Sequence, residues 1–415
     1  MTNESIHNLV DHLFRQKAGQ ITAILVKIFG IEHIDLAEDV VQDALVKAIQ
    51  QWPFSGVPQN PGGWLLQAAK NRALDILRRE TTFRTKQPEL LRQINQNMDI
   101  DSSASLFEDE QLTLMFTCCH PQLNLENQTA LILKTLCGFS VDEIARSFLT
   151  QPTTIAQRLV RAKRKIKEEK IRFEIPQDKE LKLRLTTVLH VLYLLFNEGY
   201  SATEGEDLVR QDLCEEAARL GSFLAAHPVG NSPETHALLA LMFFHASRFP
   251  TRTDSDGNLI VLSEQDRTQW DQRLIQRGYY HLDRAATGSE LSEYHLQASI
   301  AACHAMAASY EATDWKRILG FYDLLVSMNR SPVLLLNRAV ARFMVDGTEA
   351  GLKELDDLKD LPSLKEYYLL PATYAEIYRV AGENQKAKEY YEKTLKLVRT
   401  KPEQQFIMKR LSEVS

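Results

Sequence analysis

The stretch from Leu136 to Lys167, LCGFSVDEIARSFLTQPTTIAQRLVRAKRKIK, constrains the fold more than any other part of the chain. Gly138 ends one helix, and Ser140 with Glu143 forms an S-x-x-E capping box at the start of the next, each side chain satisfying a backbone donor. That helix, with Ile144 and Ala145 inward, is short and stops near Leu149. A three-residue turn, Leu149-Thr150-Gln151, follows, and Pro152 fits the first turn of a second helix. Ile155, Leu159, Ala162 and Ile166 then repeat at helical spacing and face a core. Thr153, Gln157, Arg161 and Arg164 project from the opposite side, flanked by Thr154, Arg158 and Lys165. A short helix, a tight turn and a helix with an exposed Arg/Gln/Thr face make a helix-turn-helix. Arg reads guanine edges and Gln reads adenine edges in the major groove. The plainer alternative is a solvated basic helix.

Composition sets the outer bounds. A chain of 415 residues is long enough for two or more domains. No run of about 18 apolar residues predicts a membrane span. The opening residues MTNESIHNLVDHLF lack the basic and apolar regions of a signal peptide. Five cysteines in a chain this long make no disulfide framework, which fits a reducing cytoplasm. The net charge of −6 points away from nucleic acid, but its distribution reverses that. Residues 152–172 hold eight Lys/Arg against two Glu, and residues 70–92 hold seven against three acids. Two basic patches separated by a neutral-to-acidic stretch imply two contacts with one polyanion.

Along the chain, residues 5–30 read as an amphipathic helix with Leu9, Leu13, Ile21, Ile24, Leu25 and Ile28 apolar, closed by Gly30. Residues 35–50 form a second helix, with Val41, Ala44, Leu45 and Ala48 on one side and Asp39, Gln42, Asp43 and Lys47 on another. By Pro and Gly content, Trp52-Pro53 through Pro61-Gly62-Gly63 is a loop. In the helix that follows, Leu65, Ala69, Ala73, Ile76 and Leu77 make the buried stripe, and Gln67, Asn71, Asp75 and Arg78 the polar one. Trp64, Arg72 and Arg79 lie close by. Amide, basic and aromatic groups on one helix and its entry suit melted DNA, where bases stack or insert and cations hold phosphates. Residues 81–110 lose periodicity and read as a flexible linker with room for a short helix in it. Helix resumes over 111–136, broken at His120-Pro121.

The segments AEDVVQDALVKAI and GGWLLQAAKNRALDILRR, followed by the helix-turn-helix, resemble bacterial sigma factors of the sigma-70 family, extracytoplasmic-function group. The resemblance covers roughly residues 5–170 and lies in the order and spacing of three motifs. It implies that Asp39, Gln42 and Asp43 bind core RNA polymerase at the β′ clamp. It further implies that Trp64, Asn71, Arg72, Asp75, Arg78 and Arg79 capture the melted −10 element. Thr153, Thr154, Gln157, Arg158, Arg161, Arg164 and Lys165 would grip the −35 duplex, with the β flap as a second polymerase contact. FTCCHPQL, EIARSFL and AQRLVRAKRKI resemble a subgroup with a long C-terminal extension of tetratricopeptide-like repeats. Here Pro152 stands one residue later than that resemblance leads one to expect, leaving open which of Thr153 and Thr154 faces the groove.

From about residue 176 the chain is a series of helices with little strand signal. The span ATYAEIYRVAGENQKAKEYYEKTLKLV carries Ala375, Tyr378, Gly382, Ala387, Tyr391 and Leu395 at the intervals of a helix-pair repeat about 34 residues long. A weaker unit surrounds Ala341 and Gly347. Such arrays bind partners on a concave face. Cys118-Cys119-His120 lacks the spacing of a zinc site, so its thiols read as packing groups and no metal is expected. Asp254-Ser255-Asp256-Gly257 reads as a turn, since its Gly comes too early for a calcium loop. Asn197-Glu198-Gly199-Tyr200 and Gln265-Asp266-Arg267 with Trp270 and Asp271 are a buried hydrogen-bond network or a ligand pocket. His190, His236, His245, His281, His295 and His304 read as satisfied core residues. No G-x-x-x-x-G-K-[ST], G-x-S-x-G or H-E-x-x-H occurs, so nothing nominates an active site or a cofactor.

The expectation is therefore an all-α chain: region 2 over 1–83, a linker over 84–110, region 4 over 111–172 and a helical extension over 176–415. It is expected to be a cytoplasmic, non-enzymatic promoter-recognition subunit, its extension regulating it or binding a protein partner. The rival readings are a stand-alone helix-turn-helix regulator with a sensing domain, and a repeat-type adaptor or enzyme.

Overall fold

In the computed structural model, residues 17–79, 104–148, 150–200, 210–254, 257–398 and 400–414 are described. Among them every regular element is helical, apart from one isolated antiparallel bridge between Thr253 and Leu259. The chain divides into two compact units, Met1–Val191 and Leu192–Ser415. In the first, α1 (residues 17–29) buries Ile21, Ile24, Leu25 and Ile28. Leu9 and Leu13 lie outside the described residues. Gly30, at φ 95°, stops α1 as expected. Helix α2 (Ile34–Ser55) buries Val41, Ala44, Leu45 and Ala48.

Two boundaries differ from the expected loop over 52–63. Helix α2 continues through Pro53 to Ser55. Pro53 leaves the Ile49 carbonyl without its helical N–H donor, a single lost bond, and the helix ends two residues later. Buried Trp52 anchors that turn, and Gly56 at φ 77° ends it. Helix α3 (Pro61–Arg79) starts at its proline, whose missing N–H costs nothing there. The Asn60 side chain accepts the Gly63 N–H at 2.9 Å. The connection shrinks to residues 56–60.

Helix α4 (Ala104–Cys118) begins inside the stretch read as linker; residues 84–103 of that stretch lie outside the described residues. Next come α5 (Leu125–Leu131), capped by Asn124, a π-helical turn over Ile132–Leu136, α6 (Val141–Ser147) and α7 (Pro152–Glu168). Helix α8 (Asp178–Tyr200) leads out of the first unit.

The second unit continues with α9 (Gln211–Ala226), α10 (Pro233–Ala246), α11 (Gln272–Ala285), α12 (Glu293–Met306) and α13 (Trp315–Met328). The pairs α14 (Pro332–Asp346) with α15 (Thr348–Leu358), and α16 (Leu369–Val380) with α17 (Asn384–Leu395), follow, and α18 (Lys401–Glu413) closes the chain. Helix α10 is apolar on all sides and buried from Thr235 to Phe244, as a helix enclosed by others must be. Where α11 crosses it, Gly278 leaves no room for a side chain: a Cβ there would meet the Phe244 ring at 2.6 Å. Gly347 and Gly382, at φ 86° and 77°, turn the two helix pairs. Ala375, Ala387 and Tyr391 are fully buried between helices, as their intervals predict.

In the first unit, α7 is tied to the start of α2 by an ion cluster. Lys163 Nζ lies 2.7 Å from Asp35 Oδ1 and 2.7 Å from Glu38 Oε2, with Lys163 9% and Glu38 8% exposed. Burial works against the Lys163 charge, but the two carboxylates outweigh it and raise its pKa. For Glu38 burial dominates over Lys163 and raises the carboxyl pKa, and its Oε1 has no partner. Lys27 of α1 pairs with Glu110 of α4. Gly19 of α1 lies so close to the π-helical turn that a Cβ would sit 2.3 Å from the Leu136 carbonyl oxygen.

Two outcomes follow. Lys163→Met keeps the aliphatic stem and strands a buried carboxylate, so urea unfolding of the first unit should show a loss of about 3–5 kcal/mol; an unchanged midpoint would place the pair in water. In the second unit, burial and then neighbouring arginines push His245 and His304 down to about 3. Both stay neutral when folded and protonate when unfolded, so their contribution is whole above about pH 6.5. It should fall by roughly 1.4 kcal/mol per pH unit for each imidazole between there and pH 3, measurable by denaturant titration at a series of pH values.

Candidate nucleic-acid interface

Helices α6 and α7 have the local chemistry read from their residues. The Ser140 N–H donates to Glu143 Oε2 at 2.7 Å, and the Glu143 N–H donates to Ser140 Oγ at 3.1 Å, which completes the capping box. Gln151 is the N-cap of α7 and Pro152 its first residue. Ile155, Leu159, Ala162 and Ile166 are buried. Thr153, Gln157, Arg161 and Arg164 are exposed on the far side, while Thr154, Arg158 and Lys165 are half-buried flanks. Of the two threonines, Thr153 is the more exposed. Arg158 is held 2.9 Å from Glu126 of α5, and Arg164 lies 3.6 Å from Glu168.

The sequence reading missed Val160, which is 65% exposed on the face shared by Gln157 and Arg164. An apolar side chain off the buried stripe is the signal that could have found it, because such groups meet the thymine methyl in the major groove. Lys163 is the converse. It sits in the basic run but turns inward to α2, so it is not part of the reading face.

On α2, Asp39, Gln42 and Asp43 are exposed together. On α3, Asn71, Arg72 and Asp75 are exposed and Trp64 is half-buried. Arg72 Nε donates to Asp43 Oδ2 at 2.8 Å, so the two faces read separately from sequence adjoin. Both groups are about half exposed, and such pairs exchange readily for other charged partners in water. Trp64 packs edge-on against buried Trp52, ring centroids 5.5 Å apart. The Arg78 and Arg79 side chains lie outside the described residues. Lys70, counted in the basic patch, is only 2% exposed, which removes it from any surface contact. Phe54, at the end of α2, is 91% exposed. It lies in the last turn of α2 rather than in the loop expected over 52–63.

The remaining singled-out residues have other roles. Cys118 and Cys119 are fully buried, and burial pushes the Cys118 thiol up to about 12 and Cys119 well above its usual range, as for packing groups. The Asp254 carboxylate accepts from the Asn258 N–H at 2.8 Å, and Gly257 is at φ 82°; Ser255 and Asp256 of the expected turn lie outside the described residues. His236, His281 and His295 are buried and hydrogen-bonded. His190 is exposed, and the Nδ1 atoms of His245 and His304 have no partner, so these three depart from the satisfied core role expected of them. No described helix is long and apolar enough to cross a membrane.

Comparison with known proteins assigns the same segments. Residues 13–83 match the model of sigma-70 region 2, residues 113–166 that of sigma-70 region 4, and residues 184–286 a family of unknown function, DUF6596. An uncharacterized protein of Rhizobium meliloti (strain 1021) is 36% identical over 340 residues, covering 81% of this chain and 80% of its own. No solved structure matches. With region 2 on α1–α3, region 4 on α4–α7 and a relative aligned over most of both chains, this chain belongs to the sigma-70 family, whose members bind RNA polymerase and promoter DNA.

Proposed function

We propose that the chain is a sigma factor of the extracytoplasmic-function type, which brings core polymerase to promoters with paired −10 and −35 elements. The observation that carries this reading is the outward face of α7, where Thr153, Gln157, Val160, Arg161 and Arg164 stand clear of a fully buried stripe. In this reading Arg161 and Gln157 contact base edges and Val160 a thymine methyl, while Thr154, Arg158 and Lys165 hold phosphates. Asp39, Gln42 and Asp43 take the β′ clamp, and the β flap contacts region 4. Trp64, Asn71, Arg72, Asp75, Arg78 and Arg79, with Phe54, hold the melted −10 strand. For Arg72 and Asp43 that means exchanging each other for a phosphate and a polymerase cation.

The two elements are separated by roughly 25 base pairs, about 85 Å at 3.4 Å each. A compact unit of the size of Met1–Val191 is roughly 40 Å across. Reading both elements at once therefore requires α7 to leave α2, breaking the Lys163 ion cluster. The extension holds 29 Lys/Arg against 35 Asp/Glu from residue 171 on, opposite in sign to the promoter-facing surfaces. We assign it a regulatory role, with the helix pairs α14–α15 and α16–α17 as tetratricopeptide-like units that receive a protein partner.

Run-off transcription with purified core polymerase tests the reading: start-site selection dependent on this chain is expected, and duplex binding without any effect on initiation would favour a stand-alone regulator. Arg161→Ala should weaken −35 binding by about 1–3 kcal/mol and flatten sequence preference at one position, whereas an equal loss on every sequence would limit Arg161 to phosphate. Fluorophores at the exposed positions Gln67 and Gln157 should separate from within about 40 Å to about 85 Å when polymerase and promoter are added; an unchanged distance would exclude simultaneous reading.

A further inference from the structure

The polar residues around Tyr200 and from Gln265 to Trp270 converge, in the unit Leu192–Ser415, on a group of buried cations. Arg267 and Arg252 are each 8% exposed, and Arg248, half-buried as a residue, is near enough for its charge to bear on Arg267 and to feel that of Arg252. The Arg248 and Arg267 guanidinium carbons are 5.5 and 5.2 Å from the centroid of the Trp270 ring. Arg252 stacks on Tyr200 at 3.9 Å, and Tyr200 packs in turn on His245 at 4.6 Å.

The partners of these arginines are neutral. Arg248 donates to Gln265 Oε1 at 3.1 Å, and Arg252 to the Tyr200 carbonyl at 2.7 Å. Arg267 donates to the His304 and Ala307 carbonyls and to Thr313 Oγ1. Among the described residues none of the three has a carboxylate at ion-pair distance; Glu311, at the surface, bears on Arg267 only through space. Elsewhere in the same unit buried arginine is treated differently. Arg410, 6% exposed, is surrounded by Glu264, Glu376 and Glu413.

Burying a cation is costly unless an opposite charge accompanies it, and removing the partner of a buried charge is among the largest losses known in folded proteins. Here the cluster also holds nitrogens with nothing to bind. Trp270 Nε1, 3% exposed as a residue, and Arg267 Nε are buried without an acceptor, and the Nδ1 atoms of His245 and His304 are buried without a hydrogen-bond partner. Both imidazoles are held neutral by burial and the neighbouring arginines, so each keeps one N–H to offer. Guanidinium forks, an indole N–H and imidazole N–H groups match an oxyanion, and three guanidiniums match a dianion better than a monoanion.

We propose that this cluster is a binding site for a small phosphate-bearing ligand, with Arg248 and Arg267 gripping the phosphoryl group beside Trp270. The phosphoryl oxygens supply acceptors for the orphan nitrogens and a negative charge that no described residue brings to ion-pair distance of the three arginines. The source of that phosphoryl group is either free phosphate or a phosphorylated small molecule. This inference does not depend on promoter recognition, and its test uses neither DNA nor polymerase.

The experiment is isothermal titration of the full-length chain at constant ionic strength in chloride, with inorganic phosphate, adenosine monophosphate and acetate as separate probes. Saturable one-to-one uptake of phosphate, of the monophosphate or of both is expected, with acetate at least about tenfold weaker. Uptake of inorganic phosphate identifies the free ion as sufficient; uptake of the monophosphate alone identifies an esterified phosphoryl group. Arg248→Gln should weaken uptake by about tenfold or more, and Trp270→Phe, which keeps an aromatic ring and removes only the N–H donor, by about threefold. Circular dichroism checks that each variant folds, and Trp270→Phe serves if Arg248→Gln does not. The proposal is overturned if neither phosphate probe binds saturably, or if both folded variants bind as tightly as the parent.

Discussion

The buried contact of Lys163 with Glu38 and Asp35 decides how the first unit is arranged. An amine and a carboxylate were taken out of water to form it, and the attraction between them roughly repays that loss rather than exceeding it. An apolar pair of the same size would hold α7 to α2 at least as firmly. The difference appears when the surfaces separate. A parted apolar patch stays exposed at full cost, whereas a parted lysine and glutamate regain their hydration. Under the proposed function, a contact that holds in one state and comes apart in another is better built from ions, and the same interface also carries a further ion pair, a close backbone approach and the meeting of Ala18, Thr22 and Val41 with Lys134, Thr135 and Gly138. Lys27 meets Glu110, and Gly19 lets backbone approach backbone at the π-helical turn.

That same contact shows where sequence reasoning stops. Period, capping box and turn length were enough to place α6 and α7 and to divide α7 into a buried stripe and an outward face, because each depends on neighbours within a few residues. Lys163 lies on the same helix, in the same basic run, and no local pattern separates it from Arg161 or Arg164. Only the position of α2, more than a hundred residues earlier in the chain, turns it from a surface cation into a buried one. Lys70 was misread for the same reason. Pro53 and Pro61 misled in another way. Proline marks a boundary, but at a last or first turn the boundary falls outside the proline rather than inside it, and the Asn60 cap was the overlooked local clue. Val160 and Phe54 were passed over because apolar residues were sought only in the core.

The second unit shows the same limit in electrostatic form. Its helices and their turning glycines were legible, and so was an unusual density of polar groups near Tyr200 and Arg267. What could not be read was which charges meet. Arg410 and Arg248 are alike as letters, yet one is enclosed by three glutamates and the other by glutamine, tryptophan and histidine. The histidines were expected to be satisfied because most buried histidines are. His245 and His304 depart from this: they pack on the rings of Tyr200 and Trp315, and their Nδ1 atoms have no hydrogen-bond partner.

Whether opening of the first unit demands unfolding turns on chain length alone. Residues 80–103, between α3 and α4, number 24 in the sequence, and fully extended they could reach at most about 80 Å. The folded regions on either side add their own widths. A separation of about 85 Å between reading faces is then within reach with both helical regions intact. In the proposed opening the cost is the interface itself, which includes the Lys163 cluster, the close approach at Gly19 and the meeting of Ala18, Thr22 and Val41 with Lys134, Thr135 and Gly138. Polymerase and promoter would supply the contacts that outweigh it. The outward faces of α3 and α7 would stay pre-formed in both states, since each helix is fixed by its own buried stripe.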